Sequence, residues 1–264
     1  MSNDVSDVAN DFVYTFKVEK VFSPFRQLTE EIQTSIEQNI VNVIYDSFVI
    51  PADEDYLMAR LLAQKNLHRG FFWSASQALE KYLKAYLLMH DYGIKRLSNG
   101  HSLEPLFDAV ITIDPEIKNI SLAIHNEIKM DAQILAQVKV FTVAEYLREL
   151  SVFGAAANRY NASGVIFNTG HLFALDAFVY HLRERVGVPV IKNSFKGISK
   201  DLLDTFYDNN YHFAHNSVTH SIVPSSKFSI HHSLNSTWLG YLKKHREQYA
   251  PSIALQWLEE KMKI

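Results

Sequence analysis

Residues 55–90 read DYLMARLLAQKNLHRGFFWSASQALEKYLKAYLLMH, and this stretch decides the fold class. Tyr56, Leu57, Arg60, Leu61 and Gln64 advance at steps of three and four, the spacing of one helix face. Asp53, Glu54 and Asp55 put acidic charge at the start of that helix, where carboxylates favour its dipole. His68, Arg69 and Gly70 mark its end. Phe72, Ala75, Leu79, Tyr82, Leu83 and Tyr86 then resume the helical spacing. Glu80 and Lys84 form an i,i+4 pair in the favourable order, and Gly93 closes the second helix. Two helices joined by a short break predict an all-α protein.

The flanking segments extend this pattern. Upstream, Phe12, Tyr14, Phe16 and Val18 alternate at period two, a strand signal broken by Ser23 and Pro24. Thr29 caps a helix that carries Glu30 and Glu31 in its first turn, runs to about Asp46 and is ended by FVIP and Pro51. Downstream, Ser102 caps a helix over HSLEPLFDAV, Pro115 opens one reaching about Gln137, and Thr142 with Glu145 forms a capping box starting one to about Tyr160. NASG at 161–164 is the best linker candidate. Beyond it, His171–Val186 reads as a helix closed by Gly187, Ser199 caps another reaching at least His215, and two more span about 236–248 and 252–263. The expected organisation is an N-terminal strand and helix over 1–50, a helical bundle over 52–162 and a C-terminal helical region over 165–264.

Composition narrows the function classes. Of 264 residues, 47% are hydrophobic and 21% charged, which suits a globular chain and argues against disorder or a coiled coil. The formal net charge of −3 leaves no global polybasic footprint for duplex DNA. The absence of cysteine excludes disulfides, a thiol nucleophile and a thiolate metal cage. The opening MSNDVSDVANDF lacks the basic and apolar regions of a signal peptide, and the apolar runs are short, so a cytoplasmic protein without a membrane span is expected.

The order DYLMARLLAQ, FFWSASQALEKYLKAYLLMH and GHSLEPL, followed by AAANRYN at 155–161, resembles the HEPN domain family (higher eukaryotes and prokaryotes nucleotide-binding) over about residues 53–162. The resemblance implies a four- or five-helix up-down bundle, frequent homodimerisation and a link to nucleotides or RNA. Members of that family include metal-independent ribonucleases, nucleotide binders and interaction modules, so fold alone does not select among them.

Catalytic HEPN proteins carry an Arg-x(4–6)-His motif, commonly beginning Arg-Asn. Metal-free RNA cleavage needs an acid or base near the 2′-hydroxyl and the leaving oxygen, and a fixed positive charge against the phosphate. Arg96-Leu-Ser-Asn-Gly-His101 has the spacing, but lies in the loop before GHSLEPL rather than on a later helix. The alternative for His101 is a loop-orienting role beside Ser102. His215-Asn216-Ser-Val-Thr-His220 resembles Arg-Asn-x-x-x-His, with histidine replacing arginine and so without a permanent charge at neutral pH. A second, divergent HEPN-like unit over 165–264 would place its site there. Asp208, His212 and His215 at i, i+4 and i+7 make a weak divalent-metal set, set against structural or interface packing of histidines.

Residues 56–101 carry seven basic side chains against two acidic ones, a balance of +5. Arg60, Arg69, Lys81 and Lys84 are therefore the candidate phosphate ligands, and a solvated lysine-rich face is the alternative. Phe71, Phe72 and Trp73 are read as core and helix seam in preference to a base-stacking surface. Three functions follow: a nucleotide-, RNA- or partner-binding module that needs no cofactor, a metal-independent endoribonuclease of toxin or defence type, and a scaffold whose C-terminal half senses another ligand.

Overall fold

The computed structural model describes residues 27–97, 102–125, 128, 131–156, 158, 164–188, 197–207, 210–214, 232–235, 238–249, 251–254 and 258. Helix α1 (Glu30–Ile44) does not end before Pro51. It passes through one π-helical segment at Tyr45–Val49 into α2 (Ile50–Gln64). Pro51 has no N–H, and its ring conflicts with the carbonyl of the preceding turn; the wider turn, with the Ile50 N–H on the Tyr45 carbonyl, carries the helical path past it. The expected stop at FVIP is thus a helix defect rather than a terminus.

The break after α2 also falls earlier than its residues suggest. Asn66 adopts φ 58°, its N–H reaches the Ala63 carbonyl at 3.0 Å, and the Leu67 N–H reaches Leu62 at 2.8 Å. These two bonds make a Schellman closure in which asparagine fills the left-handed position usually held by glycine. Gly70, expected in the break, lies instead inside the first turn of α3 (His68–Met89). Helix α3 ends the same way, with Asp91 at φ 55° and the Tyr92 N–H on Leu87.

Helix α3 is the centre of the molecule. Fifteen of its 22 residues are buried, Phe71 and Phe72 among them, so it is enclosed rather than amphipathic. Around it pack α1, α2, α4 (Leu103–Ile113), α6 (Val143–Phe153) and α7 (Gly170–Val186). Gly154, after α6, permits the closest approach: a Cβ there would overlap Ser76 Oγ and come 2.7 Å from the Phe72 carbonyl oxygen. The capping box on α6 forms as read, with the Thr142 N–H donating to Glu145 at 2.9 Å and the Glu145 N–H to Thr142 at 3.3 Å.

Other boundaries move. The helix expected over 115–137 reduces to a 3-10 turn at Pro115–Asn119 and one turn of α5 (Ala132–Leu135), and α6 stops at Phe153 instead of about Tyr160. The helix expected from Ser199 to His215 divides into α8 (Lys200–Tyr207) and α9 (Tyr211–Ala214), with non-helical Asn210 between them. Helix α7 closes at Gly187 (φ 84°) as expected, and α10 (Trp238–Lys244) is shorter than the 236–248 reading. Of 252–263, the described residues 252–254 and 258 are helical. The strand read at 12–22 lies outside the described residues. Instead, β1 (Val165–Asn168) pairs antiparallel with β2 (His232–Asn235), Val165 opposite Asn235.

The chain is therefore an all-α helical bundle, with one short two-stranded ribbon among the described residues. Of the linker expected at 161–164, residues 161–163 lie outside the described residues; β1 and α7 beyond it place Val165, Phe167, Leu175, Phe178 and Leu182 in the same apolar core as Tyr56, Phe72 and Leu147. Among the described residues no helix is long and apolar enough to cross a membrane.

Candidate functional site

Arg60 does not lie on a basic surface. It is fully buried on α2, where its guanidinium pairs with Asp176 of α7. The Tyr56 hydroxyl donates to the same carboxylate at 2.6 Å and accepts from the Asn210 amide at 2.9 Å. One helical repeat away, Asp53 of α2 accepts from both Arg183 of α7 and the Tyr82 hydroxyl of α3. Each helix thus carries aspartate and arginine seven residues apart, and the two pairs match because the helices run in opposite directions: 53 meets 183 and 60 meets 176. Burial drives the Tyr56 and Tyr82 hydroxyls well above the ordinary tyrosine range, and the neighbouring carboxylates add to it. Burial also raises Asp176, outweighing Arg60. For Arg183 burial opposes the charge, and Asp53 together with Tyr82 and Tyr45 more than restores it. These groups are all buried, and their pairing aligns α2 with α3 and α7.

Lys81 and Lys84, the next two phosphate candidates, are also engaged. Lys81 pairs with Asp55, and Lys84 meets Glu80 at 2.6 Å. Arg69 differs. It is half-buried in the first turn of α3, has no ion pair among the described residues, and its Nε has no hydrogen-bond partner there. Exposed Lys65 stands four residues before it, across the Asn66 turn. The two cations flank the positive end of a 22-residue helix.

Arg96 ends the 3-10 turn at Ile94–Arg96, and His101 lies outside the described residues. His215, Asn216, His220 and Asp208 also lie outside them. Among the described residues, no three His, Asp or Glu are grouped to hold a metal ion.

His212 itself joins a cluster that sequence spacing does not reveal. Its ring centroid lies 5.3 Å from His125, 6.2 Å from His181 and 5.4 Å from Tyr180, while His125 stacks on Tyr211 at 6.0 Å. Burial, with His125 and His181 adding repulsion, lowers the His212 pKa to about 4, so its ring is neutral at pH 7. This cluster lies at the root of the segment that begins with His215.

A second histidine escaped the sequence reading. His171, buried in the first turn of α7, meets Glu149 through Nε2 at 2.8 Å, and its Nδ1 lies 3.0 Å from the Asn168 amide nitrogen. The same Nδ1 lies 2.9 Å from the Asn168 carbonyl oxygen, and Nε2 donates its proton to the Glu149 carboxylate. Phe141 (4.7 Å) and Phe72 (5.0 Å) pack against the ring. Asn168 Oδ1 accepts from Gly170 and Lys139, and its amide donates to Gln137. The result is a clasp between the chain before α6 and the start of α7. The aromatic core around His171 shields it from any substrate.

In comparisons with known proteins, no family model, no curated protein and no solved structure matches this chain.

Proposed function

We propose that the chain is a HEPN-like helical module that binds the phosphates of a nucleotide or RNA without cleaving them, acting as a homodimer. The supporting observation is charge. Three of the four cations suggested by the sequence are paired with carboxylates, whereas Arg69, with Lys65 beside it, keeps its positive charge unneutralised among the described residues. A concentration of such charge at the positive end of a long helix suits an anionic ligand. The resemblance to HEPN proteins supplies the class of ligand and the dimer.

Charge reversal tests this reading. Arg69→Glu and Lys65→Glu should each weaken binding of a single-stranded RNA and lower the slope of log affinity against log salt by about 1. Lys84→Gln, at a cation already tied to Glu80, should change the slope little. Equal slopes in wild type and Arg69→Glu would reject the site. Gel filtration with light scattering reads the dimer directly.

A metal-independent endoribonuclease is the second reading, favoured by the neutral His212 beside His125 and His181 at the root of the His215–His220 segment. It requires EDTA-resistant cleavage that His220→Ala abolishes and His101→Ala does not, with the helical circular-dichroism signal kept. Cleavage at the wild-type rate by His220→Ala would remove that motif.

A further inference from the structure

We propose that His212, packed against His125 and His181, forms an acid-operated latch, holding α9 against α7 while its ring is neutral and releasing it when the ring takes up a proton. This does not depend on the function proposed above. Helix α9 is one turn long, too short to be stable alone, so its position depends on what its side chains touch. On its inner side Phe213 packs against Tyr56 at 6.0 Å and Phe206 at 5.4 Å, and the preceding Asn210 bonds to Tyr56. On its outer side His212 meets imidazoles from two other parts of the chain, His125 after the Pro115–Asn119 turn and His181 on α7.

The inner contacts are apolar or neutral, and nothing in them titrates between pH 4 and 7. On the outer side His212 does. Among the described residues, the groups facing His212 are His125, Tyr180 and His181, with Tyr211 alongside on its own turn. Glu184 hydrogen-bonds His181 at 3.0 Å and raises Tyr180, after burial, by a bond to its hydroxyl. It serves those two side chains of α7, leaving His212 with imidazole neighbours. A proton on His212 therefore meets burial and like charge together, and the low His212 pKa follows.

The sign follows from linkage. Undocked, His212 binds a proton with the ordinary value of 6.5; docked, with a value of about 4. The docked state is disfavoured as pH falls through this window, by about 30-fold at pH 5 and approaching about 300-fold below pH 4. Tyr180 touches both His212 (5.4 Å) and Phe213 (5.5 Å), so displacement of the outer contact reaches the inner one.

Hydrogen exchange with mass spectrometry on the full chain, corrected for intrinsic rates, reads the latch. Amides of 205–214 should lose about 20-fold protection between pH 7 and pH 5, while those of α3 keep theirs. His212→Phe, which preserves a ring but cannot take a proton, should show no such loss. Should that variant fail to fold, His125→Gln removes one repelling neighbour and should shrink the loss. Protection of 205–214 that stays constant in wild type, as it would if His212 simply swung into solvent, overturns the proposal. So does an undiminished loss in the variants.

Discussion

Arg60 and Asp176 exemplify how single residues are used here. Two charges deep in a core gain little net stability together, because desolvation offsets their attraction, but removing one partner strands the other. Arg60→Met should destabilise the chain by about 3–5 kcal/mol, and Arg60→Met with Asp176→Leu should recover most of that loss. Urea midpoints check both, and a single variant as stable as wild type would contradict the pairing. Glu149 gives a pH prediction. The hydrogen bond from His171 holds its carboxyl below the usual glutamate range of about 4.5, with Lys139 assisting and partial burial opposing. Its contribution is present above that value and is lost as pH falls through the lower folded value. His171→Phe should therefore flatten the acid limb of stability between pH 6 and pH 3.5; identical slopes in urea unfolding would contradict this. The reciprocal aspartate and arginine spacing is present in the sequence, but it becomes meaningful only when 53–60 and 176–183 are set side by side. Read locally, Asp53 is an ordinary helix-start charge and Arg60 one more surface cation.

At the scale of elements, the helices with strong periodicity were legible and their ends less so. Phe72, Ala75, Leu79 and Tyr82 are all fully buried, as their spacing requires. The ends depend on backbone conformations that side-chain types only bias. Asn66 takes the left-handed closure while Gly70 does not, and Pro51 is absorbed by a π turn. Asn66→Gly should stabilise by up to ~1 kcal/mol, since glycine meets no Cβ penalty at positive φ, and Asn66→Val should destabilise by about 1–2 kcal/mol. Thermal midpoints moving the other way would refute the closure. Gly154→Ala should cost about 1–3 kcal/mol or more, because the added methyl meets backbone oxygens of α3 and α6 that cannot swing aside. The region 115–137 was misread because Pro115 and scattered apolar residues suit a helix start. What forms there is a short turn capped by Asp114, whose carboxylate accepts from the Glu116 N–H at 3.0 Å and from Arg185 at 2.7 Å. That second partner lies 71 residues away and has no local signature.

For the whole molecule, the all-α class was legible from composition and period, whereas the linking of the two halves was not. Core packing and two buried ion pairs join α2 to α7, so residues 1–163 alone would strand Asp53 and Arg60. A 1–163 fragment should show weak helical circular dichroism and no cooperative unfolding; a cooperative transition would mean the bundle is independent of α7. The candidate site was legible only in part. Net charge along 56–101 marks a cation-rich region, but which cations stay unneutralised among the described residues depends on Asp55, Glu80 and Asp176, and sequence distance hides the last of these. The central claim is that the unneutralised charge at Arg69 and Lys65 serves a phosphate ligand. Equilibrium binding of a labelled single-stranded RNA, in EDTA and at two salt concentrations, tests it most directly. The account predicts binding that weakens as salt rises, is impaired by Arg69→Glu, and leaves the RNA intact. Absence of binding at low salt, or binding indifferent to both salt and Arg69→Glu, would contradict it.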